Sequence, residues 1–254
     1  MSHAGASADA PRRRGRGLLG FLRDLVVIVV VAFLISFLLK TFLVRSFYIP
    51  SGSMEHTLEV QDKILVNQLV PRPFGVSRGD VVVFKDPGGW LNLASVPDPT
   101  PIEQVLQAIG LAADTSAEYV VKRVIGIGGD NVACCDADGR VTVNGAPLDE
   151  PYAVIPQGET RASAIDFDVV VPEHSVWVMG DNRYSSKDSR YNQDQPGRGF
   201  VSEDEIVGRA FFINWPLGRL SWIGNYPEVF AEVPQPSNAG ADGAGGAGSA
   251  GGDG

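Results

Sequence analysis

From Leu25 to Leu39 every residue is apolar except Ser36, and the run extends to about Val44 if Lys40 and Thr41 are accepted near its far edge. No polar stripe interrupts it, so it lacks the solvent-facing side of a surface helix. About twenty residues rising ~1.5 Å each cross the ~30 Å hydrocarbon layer of a bilayer. Lys40 lies where its stem reaches the headgroups. A cleavable targeting segment would end in small residues, but Arg45, Ser46, Phe47 and Tyr48 follow. The stretch 18–45 is therefore expected to be a retained, single membrane-spanning anchor.

Charge is divided around this anchor. Residues 1–45 carry Arg12, Arg13, Arg14, Arg16, Arg23, Lys40 and Arg45 against Asp9 and Asp24. The rest holds 14 cations and 28 anions, within a chain of 254 residues and net charge −9. Such an acidic balance argues against a nucleic-acid partner. The Arg12–Arg16 cluster just before the span orients it by the positive-inside rule, leaving residues 1–17 as a disordered basic cytoplasmic stub. Everything after the span is expected on the outer face of the cell membrane, with the lipid bilayer as a standing partner.

Beyond the anchor the sequence breaks into short β-branched runs separated by turn signals. Expected strands are Lys63–Leu69, Asp80–Phe84, Tyr119–Ile127, Val132–Cys135, Arg140–Asn144, Asp166–Val171, Ser175–Met179 and Ile206–Asn214. Arg78-Gly79-Asp80, Gly128-Gly129-Asp130, Asp138-Gly139 and Asn144-Gly145 supply turns. Many short strands without regular helical spacers predict a mainly β, antiparallel sheet or barrel over 46–234. Two departures stand out. An insertion at 85–118 holds one short amphipathic helix over Pro101–Leu111, and the Gly/Ala-rich stretch 235–254 reads as a flexible tail.

Several chemistries are weakly supported. His3, His56 and His174 do not form a His-Glu-x-x-His pattern, so neither a catalytic metal nor any other cofactor is expected. Gly126-x-Gly128-Gly129 lacks the helix of a dinucleotide loop and reads as a turn between strands. Cys134 and Cys135 are adjacent; if a strand runs through both, its alternation keeps them as two thiols on opposite faces, the favoured reading over a vicinal disulfide.

Ile49-Pro50-Ser51-Gly52-Ser53-Met54 follows the anchor, a rigid turn that presents two hydroxyls. A serine becomes a nucleophile only beside a base. One candidate base is His56, in a Ser-His-Asp arrangement. Another is Lys122, inside the apolar strand around Tyr119–Gly126. It serves only if burial lowers its pKa from ~10.4 toward 8. On pattern alone, Lys122 also fits a strand lysine pointing at water with Arg123 on the other face. A third cluster, Gly180-Asp181-Asn182-Arg183 to Arg190, follows the strand Ser175–Met179 and is dense in Asp, Asn, Ser and Arg.

Together these segments resemble the ordered boxes of bacterial type I signal peptidases, the serine–lysine dyad peptidases. They are Pro50-Ser51-Gly52-Ser53-Met54, Arg78-Gly79-Asp80-Val81-Val82-Val83-Phe84, Lys122-Arg123-Val124-Ile125-Gly126 with Gly129-Asp130, and Gly180-Asp181-Asn182-Arg183 with Ser186, Asp188, Ser189 and Arg190. The resemblance implies an endopeptidase that cuts signal peptides from exported preproteins after small residues. It makes Ser53 the nucleophile and Lys122 the general base, with Ser51 in the oxyanion hole and Ser186 orienting the lysine. It also implies that Phe47, Ile49, Met54, Leu58 and Val121 line the substrate pocket, and that Asp181, Asn182, Arg183, Asp188 and Arg190 shape the site. Val120 stands where better-known relatives carry tyrosine, which leaves that wall of the pocket in question.

Overall fold

The computed structural model describes residues 18–91, 100 and 119–236. The basic stub, the expected helix at Pro101–Leu111 with most of its insertion, and the tail beyond 236 lie outside the described residues. Two compact units are distinguished, Met1–Leu39 and Lys40–Gly254.

The first contains α1 (Leu18–Phe42, 25 residues) as far as Leu39. Within it Gly20–Phe37 has a mean hydropathy of 2.4, and none of it is buried in the protein. It is long and apolar enough to cross a membrane, and in lipid only a helix satisfies all the backbone groups of one such segment internally. The helix stops at Phe42, three residues before the expected end of the anchor, because Val44–Tyr48 is a strand, β1. That strand went unseen in the sequence because its apolar residues continue directly from the helix.

The second unit is β-rich and antiparallel. Its strands are β2 (Lys63–Asn67), β3 (Val81–Lys85), β4 (Tyr119–Ile127), β5 (Asn131–Cys134), β6 (Val141–Val143), β7 (Ala146–Pro147), β8 (Phe167–Val170), β9 (Ser175–Met179), β10 (Val201–Ser202), β11 (Ile206–Trp215) and β12 (Ser221–Trp222). The larger sheet runs β1-β2-β11-β3-β4-β9-β10, with β12 also on β11; the smaller runs β7-β6-β5-β8. Strand placement follows the alternation of the sequence. In β2, Ile64 and Val66 are buried while Lys63, Leu65 and Asn67 are half-buried. That strand ends at Asn67, whose side-chain oxygen accepts the Leu69 amide and turns the chain. In β3 the run Val81–Phe84 is buried on both faces, as befits an inner strand.

Three apolar clusters form the core. One lies under the turn that carries Ser53, with Phe47, Ile49, Met54, Leu58, Ile64 and Val66. A second gathers Val82, Phe84, Trp90, Val124 and Val178, and a third gathers Val132, Val141, Phe167 and Trp177. Gly128 and Gly129 make the turn from β4 to β5, where the Asp130 amide donates to the Ile127 carbonyl at 2.9 Å. The cysteines differ from expectation: Cys134 and Cys135 form a disulfide. Strand β5 ends at Cys134, so the alternation that would separate the two side chains does not extend to Cys135.

Candidate active site

Backbone pairing holds the Ser53 turn at both ends. The Ile49 amide donates to the Asp62 carbonyl and the Gln61 amide to the Ile49 carbonyl, each at 2.9 Å. Between them Gly52–Met54 forms a single 3₁₀ turn, continued by the Leu58 amide donating to the Met54 carbonyl at 2.7 Å. Met54 and Leu58 point into the apolar cluster below, which fixes which way the serine faces. Ser53 itself is 9% exposed.

Strand β4 brings Lys122 to this turn. Its Nζ lies 2.7 Å from Ser53 Oγ and donates to the Val121 carbonyl at 2.8 Å. The side chain is 4% exposed. Burial lowers its pKa from 10.5 to about 8, because the ammonium is denied water; the charges of Asp188 and Asp181 pull partly the other way. Among the described residues no carboxylate hydrogen-bonds the amine to fix it as a cation. The alternative in which Lys122 faces water is thereby corrected. His56 is exposed, and the His174 side chain is 89% exposed beside Glu203. The structure thus gives the serine a lysine neighbour, not a histidine.

Of the remaining expected residues, Phe47, Ile49, Met54 and Leu58 share one buried cluster, with Val121 packed against it. Ser51 is exposed, its hydroxyl 3.4 Å from that of Ser53. Ser186 is buried but makes no hydrogen bond to Lys122. The Val121 carbonyl takes the amine's second contact instead, and Ser186 sits against Gly180. A Cβ at Gly180 would collide with Ser186 and with the Ser53 carbonyl, so glycine is needed for the two loops to touch.

The polar loop after β9 is a buried brace. The Asn182 amide donates to the Ser53 carbonyl at 3.1 Å, and its side chain donates to Glu55 Oε2 at 2.9 Å and the Gly52 carbonyl at 3.3 Å. Asp181 takes a two-pronged contact from Arg123, at 2.8 and 2.7 Å, and one from the Thr57 hydroxyl at 2.5 Å. Arg123 reaches on to the Gly79 and Gly224 carbonyls and lies 4.0 Å from the Tyr152 ring centre. Arg183 pairs with Glu150, and Asp188 pairs with Arg190 while accepting the Gly180 amide. Burial alone would raise the Asp188 carboxyl's pKa, but those bonds hold it below the usual value. Arg123, Thr57, Glu55 and Glu150 were not foreseen as part of the site. The one available signal was Arg123, a second cation beside Lys122 in an apolar strand.

Two strand edges flank Ser53 and Lys122 with no strand beside them among the described residues. β1 terminates the larger sheet, and β4 pairs with β9 only from Arg123 onward, leaving Tyr119–Lys122 bonded to β3 alone. Their side chains meet where Phe47 and Tyr119 pack edge to face at 5.1 Å. Tyr119, also unforeseen, thus supplies an aromatic ring to this wall, whereas Val120 points to the other face with Val82 and Phe84. A separate cleft of about 400 Å³ among Val44, Asn67, Arg209, Phe211 and Trp222 contains neither Ser53 nor Lys122.

Comparison with known proteins agrees with this arrangement. Residues 22–215 match the family described as signal peptidase, peptidase S26. The signal peptidase I of Mycobacterium tuberculosis (strain H37Rv) is 35% identical over 235 residues, covering 84% of this chain and 78% of that protein. A probable signal peptidase I of Mycobacterium leprae is 31% identical over 255 residues, covering 88% and 85%. A probable signal peptidase I-2 of Synechocystis is 33% identical over 194 residues, covering 76% and 73%. A serine and a buried lysine in contact, set between open strand edges, occur here in a chain that belongs to the signal peptidase I family.

Proposed function

We propose that this chain is a membrane-anchored serine endopeptidase that removes signal peptides from exported preproteins, with Ser53 as nucleophile and neutral Lys122 as general base. The observation that carries this reading is the 2.7 Å contact between Ser53 Oγ and the Nζ of a lysine shut away from water. A neutral amine has two N–H donors and one lone pair. With one N–H on the Val121 carbonyl, the lone pair is free to take the Ser53 proton as Oγ attacks the scissile carbonyl. The Ser53 backbone N–H and the Ser51 hydroxyl are the candidate donors to the developing oxyanion, each worth ~3–4 kcal/mol in such sites. Lys122 then returns the proton to the leaving amine. It next takes one from the water that hydrolyses the acyl-enzyme.

The open edges of β1 and of Tyr119–Lys122 suit a substrate bound as an added strand, with alternate side chains directed at the cluster of Phe47, Ile49, Met54 and Leu58. That cluster is already filled by its own side chains. It therefore accepts small residues before the cut and excludes larger ones by overlap. With residues 1–17 in the cytoplasm and α1 in the bilayer, Ser53 lies nine positions beyond Val44, at most ~30 Å of extended chain. The nucleophile then works near the outer lipid surface, where a preprotein is tethered by its own apolar segment.

Ser53→Ala is expected to abolish cleavage of a preprotein by the detergent-solubilised chain while its thermal unfolding is retained; cleavage at the wild-type rate would overturn the assignment. The pH profile supplies an independent check. A base with pKa about 8 is mostly protonated at neutral pH, so kcat/KM should rise roughly tenfold per unit below that value and level off above it. A profile that is flat through the neutral range would exclude Lys122 as base.

A further inference from the structure

Asn182 holds the peptide groups on both sides of Ser53. Its amide donates to the Ser53 carbonyl at 3.1 Å, and its side-chain nitrogen donates to the Gly52 carbonyl at 3.3 Å. The Glu55 amide donates to that same Gly52 oxygen at 3.1 Å, so both of its lone pairs are taken. The peptide joining Gly52 to Ser53 is a rigid trans plane in which C=O and N–H point opposite ways. Fixing the Gly52 oxygen therefore fixes the direction of the Ser53 N–H. Among the described residues that N–H has no acceptor within the protein.

A glycine before this plane makes a clamp necessary. With no Cβ to restrict it, Gly52 alone would let the peptide rotate between alternative orientations. Glu55 closes that freedom with both carboxylate oxygens. Oε2 accepts the second N–H of Asn182 at 2.9 Å, and Oε1 fills the space where a side chain at Gly52 would stand. The Asn182 amide can face only one way, because its oxygen turned toward Gly52 and Glu55 would meet two acceptors. Among the described residues neither side chain hydrogen-bonds Lys122. We propose that Asn182 and Glu55 are positioning residues that together aim the Ser53 amide at the oxygen that turns anionic when the scissile carbonyl is attacked. This deepens the proposed peptidase activity and rests on it.

The test uses the full chain, a preprotein and a substrate-like peptide aldehyde, whose adduct with a serine hydroxyl mimics the tetrahedral intermediate. Removing one donor to a developing oxyanion costs about 10²–10³ in kcat. Glu55→Ala keeps the donor but unclamps it, so kcat should fall about thirtyfold with KM within about twofold, and the aldehyde should bind more weakly by a similar factor. The pH profile of kcat/KM should keep its rise toward about 8, since Lys122 is untouched. Glu55→Gln retains an acceptor oxygen for Asn182 and should stay within about threefold of wild type. Wild-type kcat in Glu55→Ala, a loss confined to KM, or Glu55→Gln as slow as Glu55→Ala would overturn the clamp. Should Glu55→Ala fail to fold, Glu55→Met fills the same space without a carboxylate and should show the same loss of kcat; wild-type kcat there overturns the proposal. Ser53→Ala run alongside separates the two levels. Ser53-dependent cleavage with Glu55→Ala unimpaired sinks the clamp alone, whereas cleavage by Ser53→Ala sinks the peptidase reading with it.

Discussion

Replacing Lys122 by arginine is expected to lower kcat/KM by about three orders of magnitude or more while the protein still folds. As the proposed base the amine would act by losing its proton, and a guanidinium stays charged at any pH an assay can reach. Its larger fork would also press on Ser53, only 2.7 Å from the present nitrogen. Single-turnover cleavage of a preprotein checks the outcome, and activity within tenfold of wild type would mean that another group takes the serine proton. Lys122→Met gives the complementary result. A fall in pKa from 10.5 to about 8 amounts to roughly 3 kcal/mol by which the fold disfavours the charged amine. That penalty is fully present below pH 8 and fades as pH rises toward 10.5. The methionine variant should therefore be inactive yet unfold later than wild type at neutral pH, and the difference should shrink in alkaline buffer. On the proposed mechanism, catalysis would be sustained by a residue that weakens the fold that holds it.

Arg123→Met is expected to cost about 3–5 kcal/mol of stability, because it leaves the Asp181 carboxylate buried without its cation. Both side chains are fully buried, and the guanidinium also serves the Gly79 and Gly224 carbonyls. Asp181 accepts the Thr57 hydroxyl, and the next residue, Asn182, holds the Ser53 carbonyl. Loss of the pair should thus loosen the turn that carries Ser53 and lower kcat along with the melting temperature. Adding Asp181→Asn should recover part of the lost stability, since the uncompensated charge is removed; a double-mutant cycle measures that coupling. A cost below about 1 kcal/mol would mean that water enters and solvates the carboxylate.

Strand positions were legible wherever residues alternated between a wet and a dry side. Tyr119–Ile127 and Ser175–Met179 were expected with the ends they have, and the other expected strands have ends within two residues of those expected. β1 was hidden because an apolar helix and a half-buried strand meet at Leu43 without a polar break. Ser53 and Lys122 were singled out by their settings, a Pro-Gly turn and an apolar strand. Whether Lys122 faced water was undecidable from the sequence: two adjacent cations on a strand must point opposite ways, and only the fold reveals that both sides are covered. Glu55, Thr57 and Glu150 gave no local sign. Their partners lie 127, 124 and 33 residues away, and single polar residues carry no period. The expected Ser186 contact is not made, and the amine donates to the Val121 carbonyl of its own strand.

The margins of β1 and of the first half of β4, bare among the described residues, would set what kind of recognition the proposed peptidase performs. Main-chain amides and carbonyls are common to every polypeptide, so a ladder completed along them gives grip without consulting the sequence that supplies it. Selectivity then falls to the few alternate positions that turn inward. An enzyme built this way can serve many precursors with no shared motif, so long as each offers a short straight stretch in the right place.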